Sequence, residues 1–370
     1  MKIYFLLFLI WTYPIGVSCQ DSLFLSTDRH VLGSEGDLTA SLTFFDADGD
    51  GDLDVVFANG RHWAQTNEIY LNNGRGQFTF GYPVGPEKAT SYAAPAGDLD
   101  NDGDMDLVIG NDRAENWVYL NNGDGRFEIA WVVSSEIEPT RSAQFYDINS
   151  DGSLDILVTN RGTANGFYLN NGDGRFGEKN PFGDPSGSTI AVAVGDLNGD
   201  GAPELVLANR DGQANKILLN DGNLNFIEGS PFGTGTDETR GVSLADLNND
   251  DHLDIVTVNI GEPNGVYFGL GDGTFEGAVS FGGSEDSYAL EIADIDQDDD
   301  LDIVVANVNS SNSVYLNDNE GTQWTEVKLG DYAATTYGLD VGDLDQDGYP
   351  DLGFANSNSL NRLFYNRINR

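Results

Sequence analysis

Aspartate fills every second position of DADGDGDLD, Asp46 to Asp54, directly before the apolar run VVFA. Carboxylates packed this closely repel one another, so the pattern calls for a cation among them. Side chains at alternate positions of a tight loop turn their oxygens toward one centre. Several hard oxygens around one point suit Ca²⁺, which takes six to eight ligands at about 2.3 to 2.6 Å.

The pattern recurs as DLDNDGDMD from Asp98, DINSDGSLD from Asp147, DLNGDGAPE from Asp196, DLNNDDHLD from Asp246, DIDQDDDLD from Asp294 and DLDQDGYPD from Asp343. One such stretch alone reads as a solvated hairpin turn. Seven in register read as seven cation sites, with side-chain ligands at positions 1, 3, 5 and 9 and a backbone carbonyl at position 7. The candidate ligands are Asp46, Asp48, Asp50, Asp52 and Asp54 in the first copy, and Asp98, Asp100, Asp102, Asp104 and Asp106 in the second. They are Asp147, Asn149, Asp151, Ser153 and Asp155 in the third, and Asp196, Asn198, Asp200, Ala202 and Glu204 in the fourth. The fifth has Asp246, Asn248, Asp250, His252 and Asp254, the sixth Asp294, Asp296, Asp298, Asp300 and Asp302, and the seventh Asp343, Asp345, Asp347, Tyr349 and Asp351. Position 12 of the first copy is Phe57, so the loop is not an EF-hand. Copies five and six carry Asp251 and Asp299 at the sharp-turn position, where the others have Gly, and are expected to be the most distorted.

The starts of the loops lie 52, 49, 49, 50, 48 and 49 residues apart, the mark of a repeated supersecondary unit. In each unit an alternating run such as SYALEIADI enters the acidic loop and a run such as LDIVVAN leaves it. A variable loop leads on to a strand such as VYLN and to a glycine-rich turn such as NNGDGRF. Asn-Gly and Asp-Gly supply the positive φ that hairpin turns need. The expected fold is all-β, a seven-bladed β-propeller of four-stranded blades. The chain ends before a seventh glycine turn, and an orphan segment, SLFLSTDRHVLG from Ser22 to Gly33, precedes the first loop. This N-terminal strand is expected to pair beside Leu363 to Tyr365 and close the ring, removing an open sheet edge.

The loops, the period near 50 and the strand pattern resemble the FG-GAP or VCBS repeat family, the propeller repeats also found in integrin α subunits. Phe-Gly pairs stand at Phe182, Phe232 and Phe281. The resemblance implies that the matching loop positions hold calcium, about seven structural ions in all. It also implies a role in adhesion, in carbohydrate binding or as the scaffold of an extracellular lyase.

In an up-and-down blade the acidic loops and glycine turns share one face. The other face collects much of the scarce positive charge: Arg61, Arg113, Arg161 and Arg210 follow second strands, and Arg141 and Arg240 precede inner strands near the axis. Guanidinium groups bind carboxylate or sulfate bidentately, as on acidic sugars, with Trp63, Tyr92, Tyr332 and Tyr337 as stacking surfaces. The opposing reading is that these arginines only pair with local acids such as Asp112, Glu115 and Asp211. No nucleophile and base stand out. A lyase acting on uronic-acid polysaccharide needs a base beside a carboxylate-neutralising cation, and His62 with Arg61 is the pair to test; His30 could share that face.

The chain has 18 Lys plus Arg against 61 Asp plus Glu, a formal charge of −43, which argues against nucleic acid. The seven nonapeptides hold 30 of the 61 acids. The run from Ile3 to Tyr13 suits the core of a signal peptide, giving residues 1–19 as leader and 20–370 as propeller. A secreted monomer is expected, with no transmembrane segment in the mature chain and an extracellular glycan or surface protein as partner. Cys19, the only cysteine, leaves no internal disulfide and offers a lipid anchor as the alternative address.

Overall fold

The first six residues of the second strand are buried in every repeat, as in Asp54–Asn59, Asp155–Asn160, Glu204–Asn209 and Asp254–Asn259. Runs such as DVVFAN are apolar on both faces because both faces meet neighbouring sheets. In the computed structural model, which describes residues 23–79, 81–85, 88–318 and 320–368, each of these strands is hydrogen-bonded between an inner strand and a third strand. The stretch expected to be a leader, residues 1–19 with Cys19, lies outside the described residues.

Blade one shows the plan. Thr39–Phe45 pairs antiparallel with Asp54–Asn59, that strand with Glu68–Tyr70, and that in turn with Tyr82–Pro83. Blades four and five are also separate four-stranded sheets, starting at Thr189–Gly195 and Thr239–Ala245. Blades two and three join into one sheet through Glu138 and Ala114, and blades six and seven through the continuous strand Trp324–Gly342, whose first part is the outer strand of blade six and whose second part is the inner strand of blade seven. The result is an all-β seven-bladed propeller, and every regular element among the described residues is a strand. No helix of the described residues is long and apolar enough to cross a membrane. The inner strand of blade two is split into Ser91–Ala93 and Ala96–Gly97, because Pro95 has no N–H to give the ladder.

The ring closes where expected, with two short strands instead of one. Phe24–Leu25 lies against Asn366 and Tyr365, and Val31–Leu32 against Arg362 and Asn361, with a turn between them closed by His30 N and Thr27 O. Blade seven then packs on blade one: Phe44 N donates to Asp340 Oδ2 at 2.7 Å, and Ser357 Oγ to the Thr39 carbonyl at 2.9 Å.

The core lies between blades. Phe45, Val56 and Ile69 of blade one pack with Leu107, Ile109 and Tyr119 of blade two, and Val256 and Val266 of blade five with Ile303 and Val305 of blade six. Each such fully buried aliphatic side chain contributes about 1.5 to 3 kcal/mol. A buried polar girdle runs around the arginine side. Asn116 Nδ2 donates to Thr140 Oγ1, which donates to Asn160 Oδ1. The same relay runs through Asn67, Ser91 and Asn111, Asn215, Thr239 and Asn259, Asn264, Ser287 and Asn307, and Asn312, Thr336 and Asn356. Because these groups are buried, each bond also spares a desolvated donor or acceptor.

Candidate functional site

Each acidic loop is wound around the carboxylate at position 1. In blade one, Asp46 accepts Gly49 N on Oδ1 and Gly51 N on Oδ2, and Asp50 accepts Asp52 N. The chain turns through left-handed backbone twice, at positions 4 and 6. Position 6 alone was legible as such; position 4 is Asn101, Ser150, Asn249, Gln297 or Gln346 in five copies, all at positive φ. Asp251 and Asp299 adopt φ 68° and 74°, the region Gly51 and Gly103 use. Copy six, with Asp299 at that turn, brings Asp294, Asp296 and Asp302 within 4.8 Å of one another.

Carboxylate oxygens come within 4.8 Å of one another in four loops: Asp46, Asp48 and Asp50; Asp98, Asp100 and Asp106; Asp294, Asp296 and Asp302; and Asp343, Asp345 and Asp347. In the first, second and sixth copies, Asp48 Oδ1, Asp98 Oδ1, Asp100 Oδ1 and Asp296 Oδ1 are buried without a hydrogen-bond partner. An orphaned buried carboxylate oxygen is costly. The donor set therefore fits a hard divalent cation. Burial and the neighbouring charges of Asp50, Asp102 and Asp298 push Asp48, Asp100 and Asp296 above the usual carboxylate range.

The other three loops carry Asn at position 3, and its amide turns inward as a donor. Asn149 Nδ2 reaches Asp151 at 2.8 Å, Asn248 Nδ2 reaches Asp250 at 2.9 Å and Asn198 Nδ2 reaches Glu204 at 3.2 Å. In the seventh loop the guanidinium of Arg367 stands 3.5 Å from Asp345 and 3.6 Å from Asp347.

Position 9 has a role that spacing does not reveal. Asp54, Asp106, Asp155, Glu204, Asp254, Asp302 and Asp351 are fully buried. In blade three, Asp155 Oδ2 accepts Ile148 N at 3.0 Å and Oδ1 accepts Asn170 N at 2.8 Å. The other copies repeat this fork, which ties the loop to the end of the third strand. Burial, opposed by those two amides, pushes Asp54 and Asp351 up to about 7. The position 7 side chains turn away toward the glycine turns, with Asp52 beside Gly74, Asp104 beside Gly123 and His252 beside Gly271.

On the opposite face, the residue after each girdle hydroxyl varies from blade to blade. These positions are Tyr92, Arg141, Ile190, Arg240, Tyr288 and Tyr337, with Ala40 in blade one. With Arg61 they line one cavity of about 250 Å³ on the propeller axis. Arg141 stacks over Tyr92 at 4.6 Å, and Tyr92 OH donates to the Arg61 carbonyl at 2.7 Å. Arg61 lies 3.3 Å over Tyr337, Tyr337 meets Tyr288 edge-on at 4.9 Å, and Arg240 lies 4.3 Å over Tyr288. Six blades thus supply one arc of guanidinium and phenol groups.

Six overlapping matches to the FG-GAP-like repeat span residues 46–109, 98–158, 147–207, 196–257, 246–305 and 294–354. The chain belongs to the FG-GAP-like repeat family. No curated protein matches it by sequence. Its fold is similar to that of the BP39L lectin from Burkholderia pseudomallei, with TM-score 0.69, 11% identity, 88% of this chain and 95% of that one. It is also similar to a lectin from Agrocybe aegerita that recognises non-reducing terminal N-acetylglucosamine, with TM-score 0.56, 22% identity, and 79% and 80% covered. A third neighbour is BBS1N, solved in complex with ARL6DN, with TM-score 0.61, 14% identity, and 94% and 98% covered.

Of the arginines singled out in this FG-GAP-like chain, Arg61, Arg141 and Arg240 meet in the axial cavity; Arg141 and Arg240 lie within inner strands, not before them. Arg161 and Arg210 instead pair with Asp211, at 2.9 and 3.1 Å, and Arg113 is exposed outside the cavity. His62 is exposed near Arg61 and Arg141; partial burial and then those charges lower its pKa. His30 packs on Tyr365 at the closing strand, not among the arginines. Trp63 is exposed, and the side chain of Tyr332 lies outside the described residues. Sequence reading missed Tyr288, Glu291 and the polar girdle; the signal was the Ser or Thr standing 20 residues before each strand-ending Asn.

Proposed function

We propose that this protein is a secreted calcium-binding propeller that serves as an extracellular binding module for glycans or surface proteins. The observation that carries the calcium part is the set of orphaned buried oxygens at Asp48, Asp98, Asp100 and Asp296. Asp46, Asp48 and Asp50, Asp98, Asp100 and Asp106, and Asp294, Asp296 and Asp302 would hold the ions, which there neutralise charge and pin each loop. The three loops with Asn at position 3 and the loop approached by Arg367 would bind more weakly, so the strong sites number fewer than seven. The binding part rests on the variable axial positions, set on a scaffold that otherwise repeats. Loops and strand ends held by a rigid frame are where recognition residues concentrate. A glycan array probed with the calcium-loaded protein tests it: retention of a defined set of glycans is the expected result, and no retention of any would refute the glycan reading and leave a surface protein as the ligand.

A lyase is the second reading. His62, its pKa lowered by partial burial and then by Arg61 and Arg141, is available as a base beside carboxylate-neutralising cations. Incubation with uronate polymers, followed by ultraviolet absorbance of unsaturated products, separates the two.

A further inference from the structure

The arc of arginines on the axis is short of counter-charge. Arg141 has Asp112, 2.9 Å from its Nη1. Among the described residues neither Arg61 nor Arg240 has an acid within ion-pair distance, and Arg240 Nε is buried without a hydrogen-bond partner. Burial, and the nearby charges of Arg210 and Arg61, bring Arg240 down to about 10, so it remains a cation at neutral pH. Three guanidinium groups around one cavity repel one another, and stacking of Arg61 on Tyr337 and of Arg240 on Tyr288 supplies attraction without supplying a counter-charge. Glu291 lines the same cavity, and its carboxyl is pushed up to about 8 by burial and then by Asp340. At neutral pH it therefore adds little negative charge against an anion.

We infer that the axial cavity binds one oxyanion, a carboxylate or sulfate, carried on the terminal residue of an otherwise neutral glycan, with Arg240, Arg61 and Arg141 as its ligands. This rests on the glycan-binding reading above. The cavity of about 250 Å³ has room for one ring-sized unit and so admits a chain end. The formal charge of −43 repels a polyanion at long range, whereas a single anionic group reaches the guanidinium donors within a screening length of about 10 Å. Planar guanidinium forks match both oxyanions.

Calorimetric titration of the calcium-loaded full chain with a glucuronate-terminated disaccharide, its glucose-terminated counterpart and a sulfate-terminated analogue tests the inference. Binding of an acidic probe at least tenfold tighter than the neutral one supports it, and the two acidic arms tell carboxylate from sulfate. Arg240→Gln should weaken acidic binding at least tenfold, whereas Arg161→Gln, outside the cavity, should leave it unchanged. Should Arg240→Gln fail to fold, Arg61→Gln gives the same readout. Equal affinity for acidic and neutral probes, or an acidic peptide preferred over both, overturns the inference. In the first case the glycan-binding reading stands; absence of any glycan binding removes both.

Discussion

Asn170 Nδ2 donates to the backbone carbonyl of Leu99 at 2.8 Å, so the third strand of blade three holds the acidic loop of blade two. Asn121 does the same to Ala47, Asn317 to Leu247, Asn366 to Ile295 and Asn72 to Leu344, the last across the ring closure. The metal-type loops are thus clamped between blades, and their geometry depends on the assembled ring. Asn170→Ala removes a buried donor and leaves the Leu99 carbonyl without it, a loss of about 1 to 3 kcal/mol. Asn73→Ala, at an exposed turn, should change stability by no more than about 0.5 kcal/mol. Denaturant unfolding of the two variants beside the parent checks this; equal midpoints would remove the clamp from the account.

Calcium removal should lower the thermal midpoint by many degrees. A site that binds only the folded chain contributes about 2.7 kcal/mol when free calcium is a hundredfold above its Kd. Three such sites acting together contribute about 8 kcal/mol, comparable to the whole stability of a typical domain. An unchanged melt in chelator would exclude calcium as a staple.

Arg367 occupies the seventh loop as an internal cation, 3.5 Å from Asp345 and 3.6 Å from Asp347. Arg367→Gln removes that charge, so the added calcium should raise the melting midpoint of the variant more than that of the parent. A smaller rise would show that Arg367 supports the site.

Glu291 predicts a pH dependence. Its folded-state pKa of about 8 lies above the unfolded value near 4.3, so between those pH values the folded chain holds a proton that the unfolded chain has released. Stability therefore falls as pH rises from about 4 to 8 and levels off above. Glu291→Gln should flatten this slope and stabilise the protein at pH 8 by on the order of 2 kcal/mol, less than the full shift would give because water reaches the channel. Urea unfolding from pH 5 to 9 reads both, and parallel curves for variant and parent would remove Glu291 as their source.

Deleting residues 23–33 exposes the outer edge of Asn361–Asn366, including the buried Leu363 and Tyr365. The ring should lose cooperative unfolding and gain a tendency to self-associate through the open strand. A truncated protein that melts like the parent and stays monomeric in light scattering would show that the clasp adds nothing.

The repeat, the strand pattern, the sharp turns and the closing strand were determined by sequence alone, because they arise from contacts within about 50 residues or from a period that can be counted. DVVFAN reads as a strand buried on both faces, and NNGDGRF as a turn, without knowing what surrounds them. The roles of the loop positions were legible only in part. Asp54 looks like any other carboxylate of its loop until the fold buries it and gives both its oxygens to the amides of Ala47 and Asn72.

What only the tertiary structure decided is which polar residues meet. Arg61 and Tyr337 stand at opposite ends of the repeat array, and ring closure puts one 3.3 Å over the other. Arg161 and Arg210 also follow the end of a second strand, yet both pair with Asp211, which is the next residue after Arg210 and comes from the neighbouring blade for Arg161. Local pattern sets backbone conformation through φ, ψ and the burial of alternate side chains. Meetings across the axis depend on the number of blades and the width of the channel, which no single repeat encodes.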